Sequence, residues 1–293
     1  MSAESTVNKG VFVIVVTGAT GNVGRPLVQA LATAGLEVRA VSRGLAPVDL
    51  PGGVGHVRAD LAAPESLRAA LDGAEALFLH DGGAGGQGLD PRAIPELARA
   101  AGVQRVVLLS SQGVATRPES ASHGSVGLAI DEAVRESGLA WTILRPGGFA
   151  SNAYAWVESV RGERTVAAPF GDVGLPVVDP MDIAEVAAMA LRKDEHAGQV
   201  YELTGPAVVT PRQQAEAIGA ALGEPIRFVE LTRAEAHARM VTFMPEPVVE
   251  TTLNVLGEPN AAELRLSPDV ERVLGRAPHS FAEWALRNVE AFR

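Results

Sequence analysis

The chain has 293 residues, no cysteine and a formal net charge of −10 at pH 7. This length predicts one large domain, or one domain with an appendage, and the lack of cysteine excludes disulfides, thiolate catalysis and cysteine-ligated metals. The acidic balance argues against nucleic-acid binding, and six scattered histidines without an HExxH pattern argue against a metal site. Because no apolar run reaches about 18 residues, we expect no membrane span. We expect a cytoplasmic protein whose partner is a small molecule, and a homodimer is compatible with this composition.

The first half of the chain alternates predicted strands and helices. The predicted strands are 11–17, 37–42, 54–58, 76–80, 104–110 and 140–144, and the predicted helices are 22–34, 64–71, 91–101 and 124–137. The strand runs VFVIVV, ALFL and VVLLS are apolar throughout, which is typical of strands buried on both faces. The pattern therefore predicts an α/β fold of the Rossmann type, a doubly wound parallel sheet.

After Pro146 the alternation loosens. Asp182 is expected to open a helix, and a last strand and several helices follow at 183–192, 198–203, 211–222, 232–240, 246–256 and 280–291. We divide the chain into a nucleotide-binding domain, residues 1–150 with 177–203 returning to it, and a substrate-binding subdomain, residues 151–176 and 204–293. The smaller subdomain is expected to be partly helical.

The glycine run Gly18-x-x-Gly21-x-x-Gly24 follows the first predicted strand and opens the first predicted helix. Gly18 permits a tight turn, Gly21 lets a phosphate approach the backbone, and Gly24 lets the helix lie close to the strand. The free N–H groups and positive dipole end of that helix then face an anion. The run predicts a dinucleotide pyrophosphate site, with further contacts from Thr20, Asn22 and Val23.

The second predicted strand ends in Ser42 and Arg43. A site that prefers NAD usually carries an acidic residue here for the ribose 2′-hydroxyl. A hydroxyl and a guanidinium suit a 2′-phosphate instead, so the pair favours NADP (NADPH) over NAD. The alternative is that Arg43 is a solvated loop charge.

Further cofactor candidates follow the third and fourth strands. Asp60 is placed to accept a hydrogen bond from the adenine amino group, with Leu61 packed on the ring, although Asp60 is equally typical of a turn. His80 ends the fourth strand, at the edge of the sheet where ligands bind. The glycine-rich segment 82–88 after it either covers the nicotinamide half of the ligand or is a surface loop.

The fifth and sixth strands end at the same predicted crevice. Ser110 and Pro146 are expected beside the cofactor, and Ser111 is expected to face the substrate, unless the serines only form a turn. Aromatic residues after Pro146 are candidate substrate contacts, namely Phe149, Tyr154 and Trp156. Packing inside the subdomain is the alternative for at least half of such residues. For Arg145, packing or a salt bridge is favoured over an anion clamp.

Taken in order, several segments resemble those of NmrA-like proteins, which are atypical members of the short-chain dehydrogenase/reductase superfamily. They are VTGATGNVG, AVSR, RADL, LLSSQGV, ESGLAWTILRPGGF, VVDPMDIAEVA and YELTGPAVVTPRQQAEAIGAALG. The resemblance implies a Rossmann domain, a smaller C-terminal subdomain and NAD(P) in the cleft between them. That family includes quinone and enone reductases, isoflavone-reductase-type enzymes and a regulator that binds dinucleotide without turnover.

The superfamily usually reduces carbonyls with a Tyr-x-x-x-Lys pair, in which the tyrosine supplies the proton and the lysine lowers the tyrosine pKa. Counted back from the helix residues Asp131–Val134, the pair falls at Gly124 and Leu128, and neither residue can do this chemistry. His123 is the ionisable ring beside these positions and is the candidate catalytic proton donor, with an exposed loop histidine as the alternative.

Three functions remain, because a fold does not fix a function. In the favoured one, NADPH reduces a small quinone, enone or related apolar metabolite by direct hydride transfer. In the second, the protein is a regulator that senses NAD(P) without turnover. In the third, the fold serves a non-redox step, such as a cyclisation or epimerisation in a biosynthetic pathway.

Overall fold

The computed structural model describes residues 12–44, 50–80, 90–121 and 124–293. The strands in these residues are β1 (Val13–Thr17), β2 (Glu37–Ser42), β3 (Gly55–Arg58), β4 (Ala76–His80), β5 (Arg105–Leu109), β6 (Ala140–Pro146), β7 (Thr165–Pro169), β8 (Gln199–Leu203) and β9 (Arg227–Leu231). The α-helices are α1 (Gly24–Thr33), α2 (Arg68–Leu71), α3 (Ala93–Ala100), α4 (Gly113–Thr116), α5 (Ser125–Glu136), α6 (Val157–Glu163), α7 (Pro180–Arg192), α8 (Pro211–Leu222), α9 (Arg233–Met240), α10 (Glu246–Gly257), α11 (Asp269–Leu274) and α12 (Phe281–Arg287). None of the described helices combines the length and the apolar character that a membrane crossing requires.

Seven of the described strands form one parallel sheet in the order β3-β2-β1-β4-β5-β6-β8. Val16 of β1 lies beside Ala40 of β2 on one side and beside Phe78 of β4 on the other. The strand order reverses between β1 and β4, so the loops after these two strands diverge and leave a crevice at their carboxyl ends. The predicted doubly wound parallel sheet is confirmed.

Helices cover both faces of this sheet, which explains why its central strands are apolar at every position. All five residues of β1 are buried. Alternate residues of β1 belong to two separate cores: Val16 packs with α1 and α7, and Val15 packs with α2, α3 and α5. α1 and α7 also pack against each other, so the helix that follows the glycine run is held from two sides.

A second, two-stranded parallel sheet lies outside the main one and was not predicted from the sequence. It pairs β7 with β9, with Thr165 beside Arg227 and Ala168 beside Glu230. Around it the 3-10 helix Ala150–Trp156 and helices α6, α8 and α12 enclose a separate core that includes Ile218, Phe281 and Trp284. β8, in contrast, pairs with β6 of the main sheet. The division of the chain into two units stays a prediction.

The start of α7 differs from the prediction. The helix begins at Pro180, and Asp179 is its N-cap, because the Asp179 carboxylate accepts a hydrogen bond from the Met181 N–H at 2.9 Å. Asp182, the predicted opening residue, lies inside the first turn and is fully buried. Either aspartate suits a helix start by its chemistry, and the proline at the first helical position follows Asp179.

Buried ion pairs attach the C-terminal segments to the main sheet. The Asp182 carboxylate accepts hydrogen bonds from Arg276 at 2.7 Å and from the backbone N–H and ring Nδ1 of His279 at 2.8 and 2.6 Å. Glu263, also buried, accepts from the Nε of Arg117 at 2.7 Å. These contacts join segments far apart in the chain, so the C-terminal region is fixed by long-range charge pairing.

Candidate functional site

The candidate site lies where the strand order reverses, at the carboxyl ends of β1 and β4. Gly18 follows β1 with a φ of +61°, a conformation that favours glycine. A Cβ atom built on Gly18 would lie 2.4 Å from the Nε2 atom of His80, which ends β4. The His80 ring therefore lies directly against the glycine turn, and a side chain at Gly18 would collide with it.

The other two glycines of the run have different surroundings. A Cβ on Gly24 would lie 2.1 Å from the carbonyl oxygen of Gly18, so only glycine allows α1 to pack this closely on the turn. A Cβ on Gly21 would meet a single described atom within 4 Å, the Gly18 carbonyl oxygen at 3.2 Å. Gly21 is exposed. The backbone at Gly21 is thus open on its outer side, as the predicted approach of a phosphate requires.

Helix α1 begins without a side-chain cap. Its N-cap is the buried Val23, which offers no oxygen to the first turn of the helix. The exposed side chain of Asn22 instead donates to Ser151 Oγ at 3.1 Å. Thr20 is exposed beside it. An uncapped helix start next to an open glycine backbone is suited to an anion, so the residues present fit a dinucleotide pyrophosphate.

Ser42 and Arg43, the predicted 2′-phosphate pair, have different environments. The Ser42 side chain is 8% exposed, and its Oγ is hydrogen-bonded to Nε2 of His56 at 2.9 Å. Arg43 is exposed, and its carbonyl oxygen accepts a hydrogen bond from Arg58. The exposed Arg43 suits both a 2′-phosphate contact and a solvated loop charge, whereas the Ser42 hydroxyl is already engaged, so the 2′-phosphate role of the pair stays a prediction.

The structure also favours a structural role for Asp60. Its carboxylate accepts from the N–H of Ala62 at 3.0 Å, an Asx turn at the end of β3. Leu61 packs against the core under β3 and is only half-exposed. Both residues lie at the carboxyl edge of the sheet, and their contacts with adenine stay predictions.

Three polar side chains follow β5. The Ser110 hydroxyl is buried and has no hydrogen-bond partner among the described residues. Ser111 Oγ accepts from the Gly113 N–H at 3.1 Å, the turn-forming role that was the alternative to substrate contact. Gln112 is buried and donates to the Ala262 carbonyl oxygen at 3.3 Å, while its N–H donates to the Pro146 carbonyl oxygen at 2.9 Å. The sequence reasoning missed Gln112, although its place after two serines at a strand end was a usable signal.

The aromatic candidates after Pro146 lie in cores. Phe149 packs against the core on the α1 and α7 face, and Tyr154 and Trp156 pack in the C-terminal core. The Tyr154 hydroxyl donates to Asn288 Oδ1 at 2.6 Å, and its ring lies edge-on to Trp284. Burial raises the Tyr154 pKa, and the nearby Asp179 carboxylate raises it further. These contacts suit the packing alternative, and a substrate role for the three residues stays a prediction.

The start of α5 has no room for the superfamily's tyrosine at the counted position. A Cβ on Gly124 would lie 2.3 Å from the Pro118 carbonyl oxygen and 2.5 Å from that of Arg117. Further along, the buried Asp131 pairs with Arg145 at 2.7 Å, the salt bridge that was favoured for this arginine. His123 and the glycine-rich segment 82–88 lie outside the described residues.

The chain has recognisable relatives. A family model described as NAD(P)H-binding matches residues 18–194. The (4-alkanoyl-5-oxo-2,5-dihydrofuran-3-yl)methyl phosphate reductase of Streptomyces griseus is 34% identical over 281 residues, which are 95% of this chain and 99% of that protein. The NAD(P)H azoreductase of Xenophilus azovorans is 33% identical over 285 residues, again 95% and 99% of the two chains.

Solved structures share the fold. The NADPH-dependent quinone oxidoreductase QOR2 of Escherichia coli, complexed with NADPH, has a TM-score of 0.74 at 22% identity, and the match covers 94% of this chain and 99% of that one. The negative transcriptional regulator NmrA, in complex with NADP, has a TM-score of 0.74 at 18% identity, with 95% of each chain covered. At these identities the likeness concerns the architecture alone.

Proposed function

Because the chain belongs to the NAD(P)H-binding family and is an NmrA-like protein, we propose that it is an NADP-dependent reductase of a small quinone, enone or related apolar metabolite. The observation that carries the proposal is the glycine turn, with its open backbone at Gly21 and an uncapped α1. The two relatives with about one third identity are both named reductases, which favours turnover over sensing.

The residues that would hold the cofactor lie along the carboxyl edge of the sheet. The turn 18–24 would bind the pyrophosphate through backbone N–H groups and the positive end of α1. The exposed Arg43 would bind the 2′-phosphate. The hydroxyl of Ser110, which has no partner among the described residues, and the backbone of Pro146 would lie beside the nicotinamide half; Ser110 follows Leu109, which is beside His80 in the sheet. When bound, NADPH supplies a hydride.

The missing Tyr-x-x-x-Lys pair limits the acceptor. An ordinary carbonyl needs an acid to protonate the oxygen as the hydride arrives. In this chain Gly124 occupies the position of the superfamily's tyrosine. It carries no acidic group, and two carbonyl oxygens leave no room for a side chain there. A quinone or enone takes hydride at an electron-poor atom and spreads the charge, so the proton then comes from water or from His123. Phe149, Tyr154 and Trp156 pack in two separate cores, so a substrate would meet at most the parts of these side chains that those cores leave uncovered.

The test is a panel of quinones, enones and simple ketones added to purified protein with NADPH. We expect NADPH absorbance to fall with quinones or enones and not with ketones, and mass spectrometry should find the two-electron-reduced product. Tight NADPH binding without turnover across the panel would instead assign a regulatory role. Conversion of an added metabolite with no net loss of NADPH would assign the cyclase or epimerase alternative.

A single substitution tests the proposed preference for NADP over NAD. In Arg43→Ala, we expect NADPH binding to weaken about tenfold while NADH binding changes little, because only NADPH carries the 2′-phosphate that the guanidinium contacts. Titration by nicotinamide fluorescence measures both constants. Equal weakening of the two cofactors would contradict the 2′-phosphate assignment.

A further inference from the structure

Two arginines meet at the carboxyl ends of β2 and β3. In the parallel register Ser42 lies beside Arg58, the last residue of β3. The Nε of Arg58 donates to the carbonyl oxygen of Arg43 at 3.0 Å. The Arg58 guanidinium is therefore drawn across the strand end to the point where the Arg43 side chain leaves the sheet.

The hydroxyl expected to assist Arg43 is turned elsewhere. Ser42 is buried, and its Oγ pairs with the ring of His56, two residues before Arg58 on the same strand. His56 and Arg58 lie on one face of β3 because strand residues two apart point the same way. This hydrogen bond occupies the Ser42 hydroxyl between β2 and β3. A ligand at the end of the two strands would therefore contact the arginine side chains before it could contact Ser42.

Neither of these guanidinium groups forms an ion pair with a carboxylate of the described residues. Arg43 and Arg58 are both exposed, and the hydrogen bond between Arg58 and the Arg43 backbone engages neither charge with a carboxylate of the part of the chain that the structure describes. Elsewhere in this acidic chain many arginines have a carboxylate partner, for example Arg68 with Glu65 and Arg117 with Glu263. The Arg58 side chain contacts the Arg43 backbone, and neither guanidinium has a carboxylate partner among the described residues, which favours an external anion near this strand end.

The location specifies which anion. Ala40 of β2 packs in the core under α1, and Ser42, two residues on, lies on the same face of the strand. Arg58, paired with Ser42, lies on that face too. With a pyrophosphate at the start of α1, the adenosine ribose of a dinucleotide extends towards the end of β2. The group that reaches the two arginines is then the one attached at the ribose 2′ position.

We propose that Arg58 is a second 2′-phosphate ligand, which acts with Arg43 and sets the preference for NADP, while Ser42 and His56 fix the strand ends behind it. The proposal rests on the proposed function, since it requires a dinucleotide in the glycine turn. Arg58 has two roles in it: its charge attracts the phosphate, and its Nε holds the Arg43 backbone in place.

The experiment measures binding of adenosine 2′,5′-bisphosphate and of adenosine 5′-monophosphate by calorimetry, so that no turnover is needed. In Arg58→Ala we expect the bisphosphate to bind about tenfold more weakly, as loss of a charge-assisted contact implies. The 5′-monophosphate should change less than about twofold, because it lacks the 2′-phosphate. Arg58→Lys, which keeps the charge and loses the planar fork, should fall between wild type and Arg58→Ala.

The matched control is Arg161→Ala, which removes the charge of an exposed arginine on α6 and should leave both probes unaffected. Equal weakening of both probes in Arg58→Ala, or no change in either, would overturn the role of Arg58. Circular dichroism checks that each variant folds. If Arg58→Ala does not fold, Arg58→Gln replaces it, and the same two binding results are expected. If wild-type protein binds neither probe nor NADPH, the proposed function itself fails, a result distinct from both of these.

Discussion

The helices α1 to α5 and three helices of the C-terminal region begin in different ways. Among the described residues, none of α1 to α5 has a hydrogen-bonded side-chain cap. In contrast α8, α9 and α12 each begin with a full capping box, at Thr210, Thr232 and Ser280. At α1 the helix donors are left for other partners, whereas at α8, α9 and α12 the chain satisfies two of them itself; α10 and α11 of the same region have no side-chain cap.

The same contrast extends to how each region is held together. Around the glycine run the close contacts are backbone against backbone, as between Gly24 and Gly18. In the C-terminal region they are buried charges, as between Asp182 and Arg276. Substitutions should therefore act through steric collision in the first region and through lost ion pairs in the second.

The largest expected effect is that of Asp182→Ala. Removing this fully buried carboxylate leaves Arg276 and His279 without their shared acceptor, and we expect the free energy of unfolding to fall by about 3–5 kcal/mol. Urea denaturation followed by tryptophan fluorescence measures it. The matched control is Asp172→Ala, whose carboxylate pairs with Arg212 but is 82% exposed and should contribute less than about 1 kcal/mol. If both variants lost a similar free energy of unfolding, buried ion pairs would not stabilise the C-terminal region more than exposed ones do.

Next in size is Gly24→Ala. The new methyl group would press on the Gly18 carbonyl group, and we expect a loss of about 1–3 kcal/mol together with weaker NADPH binding. Thermal unfolding and a cofactor titration on the same sample measure the two effects. Gly162→Ala in α6 is the control, because nothing lies within 4 Å of its Cβ position and alanine should stabilise that helix by about 0.5–1 kcal/mol. A stabilised Gly24→Ala protein would contradict the close packing.

The junction between α7 and β8 should make stability depend on pH. His196 is 5% exposed, its Nδ1 is paired with the Tyr201 hydroxyl at 2.8 Å, and burial lowers its pKa below the ordinary value near 6.5. The unfolded chain then binds more protons below that value, so stability is full above it and falls as the pH is lowered. The slope of this one group is at most about 1.4 kcal/mol per pH unit.

Chemical denaturation between neutral and mildly acidic pH tests this expectation. In His196→Gln the titrating ring is absent, and the fall in stability should be shallower than in the wild-type protein. A His237→Gln variant, which alters a more exposed histidine beside Glu250, provides the comparison. An unchanged slope in His196→Gln would assign the pH dependence to other groups.

The smallest expected effect concerns a cap. Thr210→Ala removes the side-chain oxygen that accepts from the Gln213 N–H, and we expect a loss of about 1 kcal/mol. Gln213→Ala removes only the reciprocal bond to the Thr210 N–H and should cost less. Thermal unfolding ranks the two variants. Equal stability of wild type and Thr210→Ala would mean that the capping box does not stabilise α8.

Local signals predicted much of this fold. The α8 bounds of 211–222 match the structure because Thr210 and Pro211 are a helix start that needs no distant partner. The strands β7 and β9 escaped prediction because each pairs only with the other, across a separation of 62 residues, outside the alternating strand–helix pattern of the main sheet. Asp182 was taken for a helix start because its partners, Arg276 and His279, lie more than 90 residues away.

In the candidate site, too, the local features could be predicted from the sequence and the long-range contacts could not. The three glycines are identifiable from their spacing together with the strand before them and the helix after them, since their expected roles depend on the backbone between these two elements. The partner of Ser42 is His56, and that contact follows from the β2–β3 register, which the sequence does not specify. The position of Gln112 after a strand end was a local signal, but its contact with Ala262 was not predictable, because that partner lies 150 residues away.

The hydrogen bond from Asn22 to Ser151 spans 129 residues and joins the glycine turn to the 3-10 helix at Ala150–Trp156. A local opening of the turn that displaces Asn22 would break this bond, so the two segments are coupled by about the 1 kcal/mol of one hydrogen bond. A ligand that orders the turn is therefore expected to slow amide hydrogen exchange at Ala150–Trp156 slightly, although it contacts only the turn.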